Sequence, residues 1–257
     1  MSDKIPIIAG RTALITGAGN GLGRAIALEF ASRGIRVILV GRNIDKLSSV
    51  QDEIKSNARI AVCDVSSSTS VEALVRELEG EDVSILVNNA GIPGPVANLV
   101  DLEVDDWDEV FAVNVRGVFL MCKAFLPHMI ERQKGDIINL ASVTGKRPLA
   151  RRTPYSSSKM AVIGLTATLA HEVGPLGIAV NSLSPGPVEG PRMARNFALE
   201  AERTGTNIEQ AEKDFVGRSA LKRMVTETEV ALAAAAMLEM PGLCGADIDL
   251  SAGMIAR

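Results

Sequence analysis

The chain has 257 residues, of which 47% are apolar and 23% charged, so it is long enough to bury the core of one large α/β domain. Its formal net charge of −4 gives no electrostatic reason to expect a nucleic acid partner. No uninterrupted apolar run reaches the roughly 18 residues of a membrane span, and residues 1–6 lack the pattern of a secretory signal. We expect a single domain over residues 1–257, a cytoplasmic location and no membrane partner.

Cysteine and histidine are too few and too scattered to indicate a metal site. Cys63, Cys122 and Cys244 have no metal-ligand spacing, and His128 and His171 lie far apart in the sequence. We therefore predict no metal, and we interpret the three cysteines as small buried apolar residues.

The first strand pattern, residues 11–16, leads through a glycine-rich segment, residues 17–23, into a helical pattern. Glycines let the backbone approach a pyrophosphate, and the helix N-terminus then offers it free N–H groups and a positive dipole end. This context favours dinucleotide binding over a merely structural turn. The candidate contacts are Gly17, Asn20, Gly21, Leu22 and Gly23.

A second buried strand, residues 36–40, ends at Gly41 and Arg42, where the adenine ribose of a dinucleotide would lie. An acidic residue there would bind the two ribose hydroxyls, whereas an arginine suits a 2′-phosphate. Arg42 therefore favours NADP over NAD. NAD stays open, because Arg42 could merely stack on adenine and Asn20 stands where a second basic residue would have helped.

Polar or small residues follow the third and fourth strands, residues 59–63 and 83–87. Asp64 could accept a hydrogen bond from the adenine amino group or could serve a turn, and Asn88 to Gly91 could hold a backbone beneath a flat ligand or form a turn. The candidate cofactor contacts from this part of the chain are Asp64, Val65, Asn89, Ala90 and Gly91.

Residues 104–132 have a mostly helical pattern that contains Asn114 in an apolar stretch. An interior asparagine is disfavoured unless its polar groups have partners, so Asn114 is a candidate for a local distortion that holds a water. The fifth strand, residues 135–140, is followed by Ser142, at the position where open α/β sheets place residues that contact ligands.

Tyr155 and Lys159 are four residues apart at the start of an apolar helix, and Pro154 suits the first turn of that helix. A nearby cation favours the phenolate, and lowering a tyrosine pKa from about 10 to roughly 7 takes on the order of 4 kcal/mol. Tyr155 would then be an acid or base usable near neutral pH. For this short motif alone, an exposed tyrosine beside a solvated lysine is the alternative.

The sixth strand, residues 178–183, precedes a polar, weakly periodic segment, residues 189–218, which we interpret as a mobile substrate lid. A helix over residues 227–240 and a strand over residues 246–250 complete the chain. The alternation of strands and helices predicts a single doubly wound, Rossmann-type parallel sheet of about seven strands with helices on both faces.

Taken together, the motifs resemble the short-chain dehydrogenase/reductase family across nearly the whole chain. They are residues 16–23, residues 88–91, Asn114, Ser142, residues 155–159 and residues 185–186. The resemblance implies hydride transfer between a nicotinamide cofactor and a carbonyl or alcohol, with Tyr155 as general acid/base and Ser142 bound to the substrate oxygen. It also implies that Lys159 lowers the Tyr155 pKa and binds the nicotinamide ribose, and that Asn114 holds a water of a proton relay.

The resemblance further implies cofactor contacts by Pro185, Gly186 and Val188. The alternative from another class is a binding protein that senses the nucleotide without catalysis. The resemblance, together with helices at residues 110–132 and 155–173 that are apolar round much of their circumference, favours a homo-oligomer, a tetramer or a dimer.

Three departures from the family pattern affect the prediction. Gly190 stands where the family commonly has a threonine that contacts the nicotinamide amide, and Ser251-Ala252-Gly253 replaces the more usual Asp-Gly-Gly. The third departure is a group of basic residues, Lys146, Arg147, Arg151, Arg152 and Arg192. They could meet an anionic substrate or could be solvated surface charge, and Arg192 could instead pair with Glu189 and brace the lid.

Overall fold

The computed structural model describes residues 8–147 and 149–255. The amino-terminal residues 1–6, which carry the prediction about a signal sequence, lie outside the described part of the chain. Where the structure describes it, the chain alternates strands with helices, as the sequence predicts.

The sheet has seven parallel strands in the order β3-β2-β1-β4-β5-β6-β7, which confirms the predicted doubly wound architecture. Its strands are β1 Thr12–Thr16, β2 Arg36–Gly41, β3 Ala58–Val62, β4 Val83–Asn88, β5 Gly135–Leu140, β6 Ile178–Pro185 and β7 Asp247–Leu250. Every residue of β1 and β4 is buried, because helices cover both faces of a parallel sheet.

Helices cover the two faces of the sheet and form a separate apolar cluster on each. They are α1 Gly21–Ser32, α2 Ile44–Ile54, α3 Ser68–Glu77, α4 Val104–Phe111, α5 Gly117–Arg132, α6 Thr153–Val173, α7 Pro191–Thr204, α8 Ile208–Val216 and α9 Glu227–Leu238. The clusters place α1, α2 and α9 on one face and α3, α5 and α6 on the other. Along β1 and β4 the apolar side chains alternate between the two clusters.

The strand order reverses at β1, which pairs with β2 on one side and β4 on the other. In such sheets the connections after neighbouring strands leave in opposite directions at this point and open a crevice at the carboxyl ends. The glycine-rich segment follows β1, and the segment at residues 88–91 follows β4. The topology therefore brings both predicted cofactor segments to one crevice.

A π-helical turn, Ala112–Arg116, joins α4 to α5 and contains Asn114, which confirms the local distortion predicted there. By length and composition the continuous helix Val104–Arg132 could cross a membrane, although Arg116 and Lys123 interrupt its apolar run. Half of its most apolar window is buried inside the fold, and Arg116 donates to the backbone oxygen of Ser66 (2.9 Å). It is a core helix of this domain.

Two predictions about individual segments need correction. Cys244 lies exposed in the loop between α9 and β7, whereas Cys63 and Cys122 are buried. Residues 191–216 are not weakly structured: they form α7 and α8, which pack through Phe197, Ala201 and Ala211. The segment consists of two short amphipathic helices rather than one long helix, so a single sequence window does not show their period.

Candidate active site

Lys159 is almost fully buried, with 5% of its surface exposed, and its ammonium lies between strand β5 and Tyr155. Its Nζ donates a hydrogen bond to the backbone oxygen of Leu140, the last residue of β5 (2.7 Å). The same Nζ is 5.8 Å from the centroid of the Tyr155 ring. The predicted i, i+4 pair therefore exists, and the helix holds both groups against the end of the sheet.

Burial is the largest single effect on the pKa of Tyr155 and raises it, but the positive charge of Lys159 and the other favourable interactions together outweigh burial, and the pKa falls below its usual value of 10.0. The charge of Arg192 and hydrogen bonds with Arg192 and Ser142 contribute to the same shift. Burial also lowers the pKa of Lys159, an effect that a phenolate on Tyr155 opposes. The site therefore favours proton transfer at Tyr155 at a lower pH than an isolated phenol allows.

Ser142 lies where β5 passes into a 3₁₀ turn, Val143–Gly145. Its Oγ accepts a hydrogen bond from the backbone N–H of Thr144 (3.2 Å), and only 8% of its surface is exposed. The turn packs directly on α6: a Cβ added to Gly145 would be 3.0 Å from the backbone nitrogen of Met160. Glycine at this position brings Ser142 close to Tyr155.

Asn114 is fully buried, and its side-chain amide is bonded on both sides. Its Oδ1 accepts from the backbone N–H of Ile92 (2.8 Å), and its Nδ2 donates to the Ile92 backbone oxygen (2.9 Å) and to Ser158 Oγ (3.0 Å). The amide thus fastens the chain after β4 to α6. Asn114 lies behind Lys159, and its place in a water relay stays a prediction.

Two glycines of the glycine-rich segment, Gly17 and Gly23, pack so closely against neighbouring atoms that a side chain could not replace them. A Cβ at Gly23 would be 2.3 Å from the backbone oxygen of Gly17 and 2.5 Å from Asn89 Nδ2. Asn89 Nδ2 itself donates to the backbone oxygens of Thr16 (2.9 Å) and Gly17 (3.3 Å). The predicted cofactor segments after β1 and β4 are therefore joined directly.

Arg42, Asp64 and Val65 follow β2 and β3, beside the glycine-rich segment. Asp64 Oδ1 accepts hydrogen bonds from the Ser66 hydroxyl (2.7 Å) and backbone N–H (3.0 Å), which is the turn role foreseen as the alternative. These bonds, with weaker help from the charge of Arg42, lower the Asp64 pKa. Val65 is buried against Gly117, which ties this loop to α5.

A cleft of about 1230 Å³ runs along the carboxyl ends of the strands. The predicted residues that line it are Gly17, Asn20, Gly21, Leu22, Asn89, Ala90, Gly91, Ser142, Tyr155, Lys159, Pro185, Gly186 and Val188. The predicted residues Gly23, Arg42, Asp64, Val65 and Asn114 do not line it. Gly23 and Asn114 lie just behind the lining, since each touches a residue that lines it.

Arg192 faces this cleft, with its guanidinium carbon 5.1 Å from the centroid of the Tyr155 ring. Within the described part of the chain it forms no ion pair with Glu189, so the predicted bracing contact is absent. Arg152, at the amino end of α6, is only 9% exposed and donates to Asn196 Oδ1 (2.8 Å). Burial, and then the like charge of Arg192, lowers the pKa of Arg152.

Lys146 differs from the arginines of the predicted basic cluster. Its Nζ pairs with the carboxylates of Asp247 and Asp249 on β7, and its side chain is only 12% exposed. Lys146 is therefore neither solvated surface charge nor a free anion ligand: it fastens the loop after β5 to the edge strand.

Sequence reasoning missed Thr16, whose hydroxyl joins the two cofactor segments. Its Oγ1 accepts from the backbone N–H groups of Asn89 (2.9 Å) and Ala90 (3.0 Å) and donates to the Val87 oxygen (3.3 Å). The signal was present, because a threonine ends the first strand immediately before the glycines. Its partners are more than 70 residues away, which a local pattern does not show.

The family model for the short chain dehydrogenase matches residues 11–202, well over half of the chain. The chain belongs to the short-chain dehydrogenase/reductase family. It is 37% identical over 223 residues to dehydrogenase/reductase SDR family member 6 of Danio rerio, covering 86% of this chain and 87% of the relative. It is 40% identical over 199 residues to an NADPH-dependent pterin aldehyde reductase of Arabidopsis thaliana, covering 76% and 82%.

Solved structures of short-chain dehydrogenases share the whole fold. A variant of the actinorhodin polyketide ketoreductase with NADPH superimposes with a TM-score of 0.89 at 34% identity, covering 95% of this chain and 97% of that one. An NAD⁺-bound xylitol dehydrogenase superimposes with a TM-score of 0.88 at 30% identity, covering 96% and 99%. The protein is an NAD(P)-dependent oxidoreductase of this family that acts on a small molecule.

Tyr155 is the only tyrosine in the chain, so the phenolate absorbance of the folded protein reports its pKa alone. We expect a spectrophotometric titration of the wild type to give a value below 10.0, and the Lys159→Met variant to titrate at a higher pH because the favourable charge is lost while burial remains. Lys123→Met, which removes an exposed lysine from α5, is the matched control and should leave the titration unchanged. A midpoint that is the same in all three proteins would contradict the coupling of Tyr155 to Lys159.

Proposed function

We propose that the protein transfers a hydride between a nicotinamide cofactor and a carbonyl or secondary alcohol, with Tyr155 as the general acid/base. The observation that carries the proposal is the arrangement of Tyr155 at the wall of the cleft, next to the buried Lys159 and to Ser142. A protein that only senses the nucleotide has no need of a phenol whose pKa is lowered in this way. The sensing alternative therefore explains less of the site.

The residues of the cleft fit a dinucleotide. The Asn20 side chain makes no capping hydrogen bond to α1, and Gly17, Asn20, Gly21 and Leu22 line the cleft, so the first turn of α1 can offer its backbone N–H groups to a ligand there. Such a turn suits a diphosphate, since the helix end supplies unpaired N–H groups and a partial positive charge. Gly17, Asn20, Gly21 and Leu22 would hold it, with Asn89, Ala90 and Gly91 on the neighbouring strand end.

The chain's own part in the reaction is proton transfer and orientation. When bound, a nicotinamide supplies or accepts the hydride. In the reducing direction Tyr155 gives the proton of its hydroxyl to the oxygen of the substrate carbonyl, while Ser142 donates a hydrogen bond to the same oxygen. The ammonium of Lys159 then stabilises the phenolate left on Tyr155. In the oxidising direction the phenolate takes the hydroxyl proton of the alcohol.

Replacing Tyr155 by Phe removes the only proton donor of this scheme and leaves the ring in place. We expect kcat on a confirmed carbonyl or alcohol substrate to fall roughly 10²- to 10⁴-fold, with cofactor affinity nearly unchanged. Steady-state kinetics and a fluorescence titration of the reduced cofactor measure the two effects. If the variant keeps wild-type turnover, the assigned role of Tyr155 is wrong; if the wild type binds cofactor but turns over no carbonyl or alcohol, the sensing alternative is favoured.

The preferred cofactor in this proposal is NADP, with NAD as the alternative. Arg42 follows β2 and forms no ion pair within the described part of the chain, so its guanidinium can meet a 2′-phosphate with charge-assisted hydrogen bonds. An NADPH-dependent relative and an NADPH-bound neighbour support this choice. The NAD⁺-bound xylitol dehydrogenase shows that the fold alone does not decide it.

The Arg42→Ala variant should weaken NADPH binding roughly 10- to 100-fold and change NADH binding little, because only NADPH carries the 2′-phosphate. Fluorescence titrations with both cofactors measure this. Arg76→Ala on α3 is the control for the loss of a surface arginine and should affect neither. Tighter binding of NADH than of NADPH by the wild type would contradict the preference for NADP.

We also propose that the protein assembles into a homo-oligomer, a tetramer or a dimer. The support is the apolar surface on α5 and α6, where Phe119 is 49% exposed and Met160 is 47% exposed in the single chain. Light scattering at micromolar concentration should therefore give at least twice the mass of one chain, and a monomeric mass would refute the assembly.

We further propose that the protein is cytoplasmic and that residues 189–218 act as a substrate lid.

A further inference from the structure

More cationic than anionic side chains line the cleft that contains Tyr155. Seven cationic and four anionic side chains line it. Some of the cations have partners: Arg203 pairs with Glu200 (2.6 Å), Arg151 donates to the Val96 oxygen (3.1 Å), and Arg218 lies over the Phe215 ring. Arg152 and Arg192 differ from these because they lie near each other and near the phenol.

Two guanidinium groups side by side repel each other unless an anion lies between or beside them. Among the residues that the structure describes, neither Arg152 nor Arg192 has a carboxylate within ion-pair distance. Burial makes this arrangement more costly for Arg152, since it is only 9% exposed. Glu189 and Glu227 also line the cleft, but they do not neutralise this pair.

Contacts with α7, and not with Tyr155 alone, hold Arg152 and Arg192 in position. Arg152 donates to Asn196 on α7, one helical turn after Arg192, so the amino end of α6 is tied to the start of α7. Arg192 is the second residue of α7, and its guanidinium covers the Tyr155 ring. This is a preformed arrangement, in which binding an anion would not require the side chains to be gathered first.

We propose that Arg152 and Arg192 form an anion-binding subsite, and that the substrate of this oxidoreductase is an oxo acid or the corresponding hydroxy acid. The inference rests on the proposed function, since it assigns the substrate class of the same site. Arg192 carries the direct contact, because it lies beside the group that exchanges the proton. The carboxylate of the substrate is therefore close to the reacting carbon. Met193 and Phe197 line the cleft beyond it and accept the apolar remainder of the substrate.

The test compares acids with their own esters, which keep the carbonyl and lose the charge. The three acids differ in the number of carbons between the ketone and the carboxylate: none in pyruvate, one in acetoacetate and two in levulinate. Each acid and its methyl ester are assayed with both cofactors, on the wild type and on each variant. We expect the wild type to prefer at least one acid over its ester, and Arg192→Gln to reduce that ratio of kcat/KM roughly 10- to 100-fold.

Arg195→Gln is the matched control, because Arg195 is an exposed residue of the same helix that does not line the cleft. It should leave the ratio of acid to ester unchanged. For the buried Arg152 the variant is Arg152→Lys, which keeps the charge and removes the planar fork, and which should reduce the same ratio by a smaller factor. Arg192 also affects the Tyr155 pKa, which changes kcat/KM on the acid and on its ester alike. This common effect cancels when kcat/KM on the acid is divided by kcat/KM on the ester.

An equal loss on acid and ester in Arg192→Gln, or a wild type that reduces only neutral carbonyls, would overturn the anion subsite and leave the proposed function standing. If no carbonyl is reduced with either cofactor, the proposed function fails, and calorimetric titration of the three acids into the cofactor-bound protein decides the subsite separately. Binding that Arg192→Gln weakens and Arg195→Gln does not would support it. Equal binding to both variants, or no binding to the wild type, would refute it.

Discussion

The hydrogen bond from the Lys159 ammonium to the backbone oxygen of Leu140 is the interaction on which the rest of the site depends. Taking an ammonium out of water costs several kcal/mol, so it needs a partner in the interior. A carbonyl at the end of a parallel strand supplies one without neutralising the charge. The positive charge thus persists beside Tyr155, where a carboxylate partner in place of the carbonyl would have cancelled its effect on the phenol.

The same bond explains the local shape of the chain. It fixes the start of α6 to the end of β5, and the turn that carries Ser142 must then cross directly over the α6 backbone, which Gly145 allows. On the other side of the crevice, the Thr16 hydroxyl and the Asn89 amide bind the ends of β1 and β4 to each other. The predicted cofactor segments and the segments that carry Ser142, Tyr155 and Lys159 therefore share one edge of the sheet, as the proposed hydride transfer over a short distance requires.

The strands, the strand-end motifs and the distortion at Asn114 could be predicted because each depends on the residues of one short stretch of sequence. The hydrogen-bond and ion-pair partners of polar side chains could not be predicted, because they depend on where a side chain points and on residues that are distant in the sequence. Asn88 and Asn89 are neighbours, yet Asn88 donates to the buried Asn139 (2.8 Å) while Asn89 binds the glycine turn. Lys146 looks like surface charge, but its partners on β7 follow about a hundred residues later.

The departure at Ser251-Ala252-Gly253 can also be understood only from the structure. Ser251 Oγ accepts from the backbone N–H of Met254 (3.2 Å), so its hydroxyl caps this turn. Ala252 adopts a φ of 53°, a conformation that glycine reaches without steric cost. Its buried methyl packs with the apolar cluster of α1 and α9, which offsets part of that cost.

The departure at Gly190 connects the cofactor side of the site with the arginine pair. Gly190 caps α7 at φ 143° and ψ −179°, a region of backbone space that is essentially restricted to glycine. A threonine could not occupy this conformation, so the family's threonine contact to the nicotinamide amide and the present course of α7 exclude each other. That course sets Arg192 two residues later over the Tyr155 ring. The glycine at position 190 therefore excludes the family's threonine and permits the course of α7 that sets Arg192 over Tyr155.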